Sequence, residues 1–328
     1  MAINIKNITI SISQIAPLVG LDKYKNFSRI FCELWRRNYP IEFKIYEDKL
    51  KNEGYKQLAT SNEINDIWEA DEALGTNILQ QIKELNTNIS KTSSYMVSKQ
   101  ESISKYINEN NKFIKLDTLE KQSLIQKVLS ITNKTHGIIN EDSILLEFSR
   151  LTEKTIKNTQ GLVEIPLNII VNIENKLSTE LSTQSNKKQL IKWSIIGKYD
   201  GITTDNELVE AKMRQKSVFK KIRDYENVQV QLYLHALKFD QAYLVESYTN
   251  KKNINSVYVN EVKYDETYVT EIILDRIHKF ISFFTLLMDN HNDCELSRMK
   301  ETLLKGDKDR KIYQIYEREY IGIEEIDF

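Results

Sequence analysis

Asp200, Glu210 and Lys212 are the residues whose types and spacing could do chemistry. The two carboxylates offer hard oxygen ligands to a cation such as Mg²⁺. The lysine, two positions after the second acid, sets an ammonium beside them. Hydrolysis of a phosphodiester needs this combination, because charge on the phosphoryl oxygens must be neutralised and a hydroxide produced near pH 7. Lys212 would orient the attacking water, or deprotonate it if burial and the cation lowered its pKa. A bare Glu-x-Lys carries little weight, since 28% of the chain is charged and Glu42/Lys44, Glu47/Lys49, Glu174/Lys176 and Glu261/Lys263 repeat it. Most such pairs lie on solvated faces. What distinguishes Glu210 is its setting.

That setting is a run of elements able to converge. Trp193 to Asp200 is apolar and β-branched enough for a strand, and Gly201 suits an abrupt turn. Leu208 to Met213 reads as a second strand, joined through Thr203-Thr204-Asp205-Asn206 into a hairpin across which Asp200 and Glu210 meet. Alternate strand residues share a face, so Glu210 and Lys212 point the same way, roughly 7 Å apart. Downstream, Val218, Ile222, Tyr225, Gln229, Leu232, Tyr233 and Ala236 fit one face of a helix ending near Lys238. Gln229 and Tyr233 stand one turn apart there, the amide requiring polar partners and the tyrosine serving equally as a core aromatic. Arg214, Lys216, Lys220, Lys221 and Arg223 follow the lysine closely and suit a phosphate backbone, or a solvated helix face.

Elsewhere, Ile8 to Ile12 alternates as a strand does, and Ser13 is placed to cap a short helix. Phe27 to Tyr39 carries an apolar stripe at helical spacing. Residues 45–132 contain no proline, and no glycine falls between Gly75 and Gly137, which predicts a helical insertion. From Gly137, a helical face of Ile138, Ile144, Leu145, Phe148 and Leu151 also holds Glu141, a carboxylate in need of a partner. Leu162 to Asn172 reads as a strand with an edge or bulge at Pro166, and Ser178 to Lys188 as a loop. Strands at Ala242–Tyr248 and Ile254–Val262 and a helix from Asp265 to about Asn290 complete an αβββαβ core with an added strand. Of the last forty residues, Lys305, Lys308, Arg310 and Lys311 could touch DNA, although a solvated tail explains them as well.

Asp200-Gly201, then Glu210-Ala211-Lys212, then a helix bearing Gln229 and Tyr233 resembles the PD-(D/E)xK nuclease superfamily, and within it the RecB-like, lambda-exonuclease and YqaJ-like viral recombinase branch. The resemblance implies an α/β fold, a restriction-endonuclease-like core with a central mixed sheet flanked by helices. Its divisions would be an N-terminal segment (1–44), a large helical insertion (45–132), the nuclease core (133–290) and a C-terminal extension (291–328). It implies that Glu141, Asp200, Glu210 and the backbone carbonyl of Ala211 hold Mg²⁺, replaceable by Mn²⁺ and present as two ions, with Gln229 assisting and Tyr233 supporting the site. A serine-led helix followed by Gly20-Leu21 and Tyr24 resembles the family's opening, which implies Ser13 and Lys6 as contacts to a 5′-phosphate. The implied activity is a 5′-to-3′ exonuclease on duplex DNA with ends, serving viral recombination, repair or replication. A single-strand annealing protein and further copies of the chain are the implied partners. A structure- or sequence-specific endonuclease, or a non-catalytic DNA-binding or assembly protein, are the alternatives.

The remaining composition sets bounds. In 328 residues, 41% hydrophobic with nine glycines and three prolines, there is room for a sizeable helix-rich globular core. A net charge of −1 means that any nucleic-acid contact is a local patch. Cys32 and Cys294 cannot build a four-cysteine metal site and point to a reducing compartment; the four histidines show no metal-ligand spacing. With no leading signal segment and no apolar run of membrane length, the expectation is a soluble intracellular protein, in the host cytoplasm if viral.

Overall fold

The computed structural model describes residues 4–22, 27–55, 63–87, 93–174, 188–249, 255–289 and 293–306. Tyr24, Lys308, Arg310, Lys311 and nearly all of the loop expected at 178–188 lie outside the described residues.

Alternation makes Asn4–Ser11 strand β1, with Ile8 and Ile10 buried. It passes directly into α1 (Ile12–Leu18). Ser11, not Ser13, is the cap residue, and its backbone N–H donates to Oε1 of Gln14 at 3.3 Å. Helix α2 (Phe27–Asn38) buries the stripe Phe27, Ile30, Phe31, Leu34 and Trp35, and α3 (Pro40–Asn52) adds Phe43 and Leu50 to the same core. The boundary expected at 44/45 therefore falls inside α3.

Helices α4 (Glu63–Leu74), α5 (Ile78–Thr87) and α6 (Ser93–Glu109) form a separate bundle around Ile78, Ile82, Ile103, Ile107 and Phe113. Helix α7 runs unbroken from Thr118 to Thr152, capped reciprocally by Asp117 and Glu120. Its first half packs on the bundle, while Ile144, Leu145 and Phe148 in its second half pack on strands of the main sheet. The expected division at 132/133 thus lies within one continuous helix.

The strands that follow are β2 (Ile156–Thr159), β3 (Leu162–Glu174), β4 (Lys188–Lys198), β5 (Gly201–Thr203) and β6 (Leu208–Met213). Helix α8 (Asp224–Leu237) crosses over to β7 (Gln241–Thr249), which lies parallel to β6, and β8 (Asn255–Lys263) returns antiparallel. These strands form two sheets, ordered β1-β4-β3 and β2-β5-β6-β7-β8, with β1 parallel to β4. Both are mixed and flanked by helices, so the fold is α/β. From α7 the order is α7, β2, β3, β4, β5, β6, α8, β7, β8, which keeps the expected succession of helix, strands, helix and strand with the short strands β2 and β5 and the final β8 added. β3 is an edge strand whose register shifts between Leu167 and Ile170, just after Pro166, as its proline requires.

After β8 the chain makes a π-helical turn (Tyr268–Leu274) into α9 (Asp275–Asp289) and then α10 (Cys294–Lys305). The last helix belongs to the core: Leu303 and Leu304 are buried in it, and Lys300 donates to Glu42 at 2.5 Å beside Trp35 and Tyr46. Among the described residues no helix is long and apolar enough to cross a membrane.

Candidate active site

Asp200 stands at the junction of the two sheets, after β4 and immediately before β5. Strand β4 therefore does not pair with β6, as a single long hairpin would require; β5 does, with Gly201 opposite Val209 and Ile202 opposite Leu208. That pairing carries Asp200 to β6 all the same. Its Oδ2 accepts the backbone N–H of Ala211 at 2.8 Å.

Glu210 and Lys212 share a face of β6, as alternation demands. Lys212 Nζ donates to Glu210 Oε1 at 2.6 Å and to Gln229 Oε1 at 3.3 Å, and Gln229 Nε2 donates to the same Glu210 oxygen at 2.8 Å. The other oxygen of Glu210, Oε2, is buried and has no hydrogen-bond partner among the described residues. A native carboxylate oxygen in that condition calls for an explanation, an ion among them. Burial pushes the Glu210 carboxyl up to about 7, with Asp200 and Glu141 adding to the rise and Lys212 opposing it. Asp200 is raised as well, chiefly by burial, and Glu141 by burial and then by the charge of Asp200. Burial alone would lower Lys212, but Glu210 and Asp200 overcome it and hold the ammonium above its ordinary value. Of the two roles expected for Lys212, the geometry favours the ammonium that orients water, because two carboxylates outweigh desolvation.

Glu141 reaches this cluster from α7, and its Oε2 accepts from Gln160 Nε2 at 2.9 Å. No three His, Cys, Asp or Glu side chains among the described residues form a ready-made metal cage. Mg²⁺ does not need one, since it usually binds through one or two carboxylates and keeps its waters. A buried, unpartnered Glu210 Oε2 with two more carboxylates electrostatically coupled to it fits such an ion.

Tyr233, on α8, is buried and donates to the Lys198 carbonyl at 2.7 Å. Its ring and Ile12 close over Gly197, where an added Cβ would lie 2.7 Å from Tyr233 Cε1 and 2.5 Å from Ile12 Cδ1. The start of α1 is thereby held three residues before Asp200 in the chain, and Ser13, exposed with its Oγ 3.0 Å from that of Ser11, lies at this end of the sheet. Lys6 does not. It pairs with Ile191, roughly 30 Å of strand before Asp200. Its ammonium donates to the Asn38 carbonyl and lies 3.5 Å from the centre of the Tyr39 ring, where burial lowers its pKa to about 8.

The cation cluster divides. Arg214 is buried, its guanidinium bound to Glu226 and Glu246 at 2.6 Å each. Glu246 also accepts the backbone N–H groups of Phe219 and Lys220. Together these bonds hold 214–223 as an irregular segment, so the helix expected from Val218 begins only at Asp224. Lys216, Lys220 and Lys221 are exposed on that segment. Arg223 stacks on Phe219 at 4.4 Å, as Arg214 does at 4.2 Å.

Two residues of the site escaped the sequence reading. Lys198 is exposed at the end of β4, and its charge favours ionised Asp200 and Glu141. Gln160 carried no signal beyond the turn suggested by the glycine after it.

No family model matches the chain, and no curated protein matches it. Solved structures similar to it include an alkaline exonuclease from Laribacter hongkongensis, 13% identical, covering 61% of this chain and 90% of that one with a TM-score of 0.33. The same exonuclease in complex with dAMP is 11% identical and covers 62% of this chain and 91% of that one, with a TM-score of 0.33.

Proposed function

We propose that the chain is a Mg²⁺-dependent deoxyribonuclease that enters linear duplex DNA at an end and degrades the 5′-terminated strand. The observation that carries this reading is the buried, unpartnered Oε2 of Glu210 amid Asp200, Glu141, Lys212 and Gln229. Glu141, Asp200, Glu210 and the Ala211 carbonyl would hold one or two ions, with Mn²⁺ able to replace Mg²⁺. A cation bound there supplies Lewis acidity toward the phosphoryl oxygens. Lys212, kept as an ammonium between Glu210 and Gln229, orients the attacking water and stabilises charge developing on the phosphoryl group. Gln229 fixes both partners at once. Ser13, at the open end of the sheet, takes the terminal 5′-phosphate, and Lys216, Lys220 and Lys221 track the backbone. Recombination or repair of viral DNA, with an annealing protein receiving the single strand, is the setting this activity suits.

The test is incubation with linear and closed circular duplex, with Mg²⁺ or EDTA, alongside Lys212→Ala. Progressive loss of linear DNA alone, faster with a 5′-phosphate and absent in the variant, supports the reading. Cutting of circles would make it an endonuclease, and no Mg²⁺-dependent cleavage of either would leave a binding protein.

A further inference from the structure

The turn between β2 and β3 is fastened to the Asp200 segment on both sides. The backbone N–H of Gln160 donates to the Asp200 carbonyl at 3.2 Å, and that of Tyr199 to the Gly161 carbonyl at 3.0 Å. Gln160 itself is in the left-handed region, at φ 57°, which a non-glycine residue adopts only where its surroundings enforce it. The next position is glycine, where an added Cβ would lie 2.0 Å from the Tyr199 hydroxyl and push that ring aside. This backbone aims the Gln160 side chain at α7, where Nε2 lies 2.9 Å from Glu141 Oε2. A carboxylate only accepts, so the amide nitrogen is the group that faces it.

We propose that Gln160 is a positioning residue for Glu141: it ties the one acid contributed by α7 to the turn that carries Asp200, and by engaging Oε2 it leaves Oε1 for the cation. This rests on the reading of Glu141 as a metal ligand. Glu141 and Asp200 come from elements far apart in sequence, and Ile144, Leu145 and Phe148 pack α7 against the sheet. A carboxylate on a helix has three rotatable bonds to settle. One hydrogen bond from a residue anchored to the Asp200 backbone settles them relative to the second ligand, the function that partners of metal ligands generally serve.

Gln160→Asn separates this role from backbone structure, since asparagine tolerates the left-handed region but is one methylene too short to reach Glu141. Mn²⁺ affinity, read from the electron paramagnetic resonance of unbound Mn²⁺, is expected to weaken roughly 10-fold or more in the variant, with Glu141→Gln weakened at least as much. The Mg²⁺ concentration for half-maximal cleavage should rise in step, KM for DNA should stay unchanged, and added Mg²⁺ should restore kcat. The thermal midpoint should match wild type. Mn²⁺ affinity unchanged in Gln160→Asn would overturn the proposal, as would unchanged affinity in Glu141→Gln. Were Mn²⁺ binding to weaken as expected while wild type cleaved no DNA, the positioning role would stand and the nuclease reading would fail.

Discussion

The backbone N–H of Ala211 donates to Oδ2 of Asp200 at 2.8 Å, so the two carboxylates nearest the proposed chemistry are set by the main chain of one strand and not by side-chain packing alone. Asp200→Asn preserves an acceptor oxygen for that N–H while removing a buried charge. Cleavage should fall roughly 10²–10³-fold or more, with the chemical-denaturation midpoint equal to or above wild type. A destabilised variant would mean that the charge itself holds the segment.

Glu210 makes stability depend on pH. Its carboxyl rises from 4.5 to about 7 on folding, so between those values the native state binds more protons than the unfolded chain. In EDTA, stability from this group is present below the lower value and is lost as pH rises through the window, by about 3 kcal/mol. Glu210→Gln should show a correspondingly shallower decline in unfolding free energy between pH 5 and pH 8. Protons and Mg²⁺ compete for the carboxylate, so the rise in thermal midpoint on adding Mg²⁺ to wild type should be larger at pH 8 than at pH 5.5.

Gly197→Ala tests the junction of α1, β4 and α8. The added methyl would strike Ile12 and Tyr233, and the Tyr233 ring is anchored by its bond to Lys198. A loss of about 1–3 kcal/mol in denaturant unfolding is expected, partly recovered by the second change Ile12→Val.

Arg214 and its neighbours should separate cleanly. Arg214→Ala leaves Glu226 and Glu246 buried without their cation and should cost about 3–5 kcal/mol in unfolding free energy. Replacing Lys216, Lys220 and Lys221 by alanine should alter stability by less than about 0.5 kcal/mol. DNA affinity should instead fall regardless of sequence, and the logarithmic salt slope should drop by about 0.9 for each phosphate contact removed. An unchanged slope would take these lysines out of the interface.

The cluster Asp200, Glu210, Lys212 and Gln229 was legible because strand alternation and the helical turn act over short spans. So was the edge position of Pro166, whereas the short strands β2 and β5, and with them the division into two sheets, were not. What stayed hidden depended on contacts distant in sequence. Arg214 looked like one more exposed cation because Glu246, its partner on β7, lies 32 positions away. That ion pair also delays α8 past a helical pattern that seemed to begin at Val218. Lys6 looked like a phosphate ligand until strand register set it on β1 opposite Ile191, far from Asp200. The Gln160–Glu141 bond joins residues 19 apart through a left-handed backbone that composition does not signal.

Helix α7 also fixes a length. From Thr118 to Glu141 it extends about 35 Å at 1.5 Å per residue. The bundle grips the first half of this rod and the sheet its second, so one helix carries both hydrophobic clusters, and a break between Thr132 and Glu141 would uncouple the bundle from the Glu141 carboxylate.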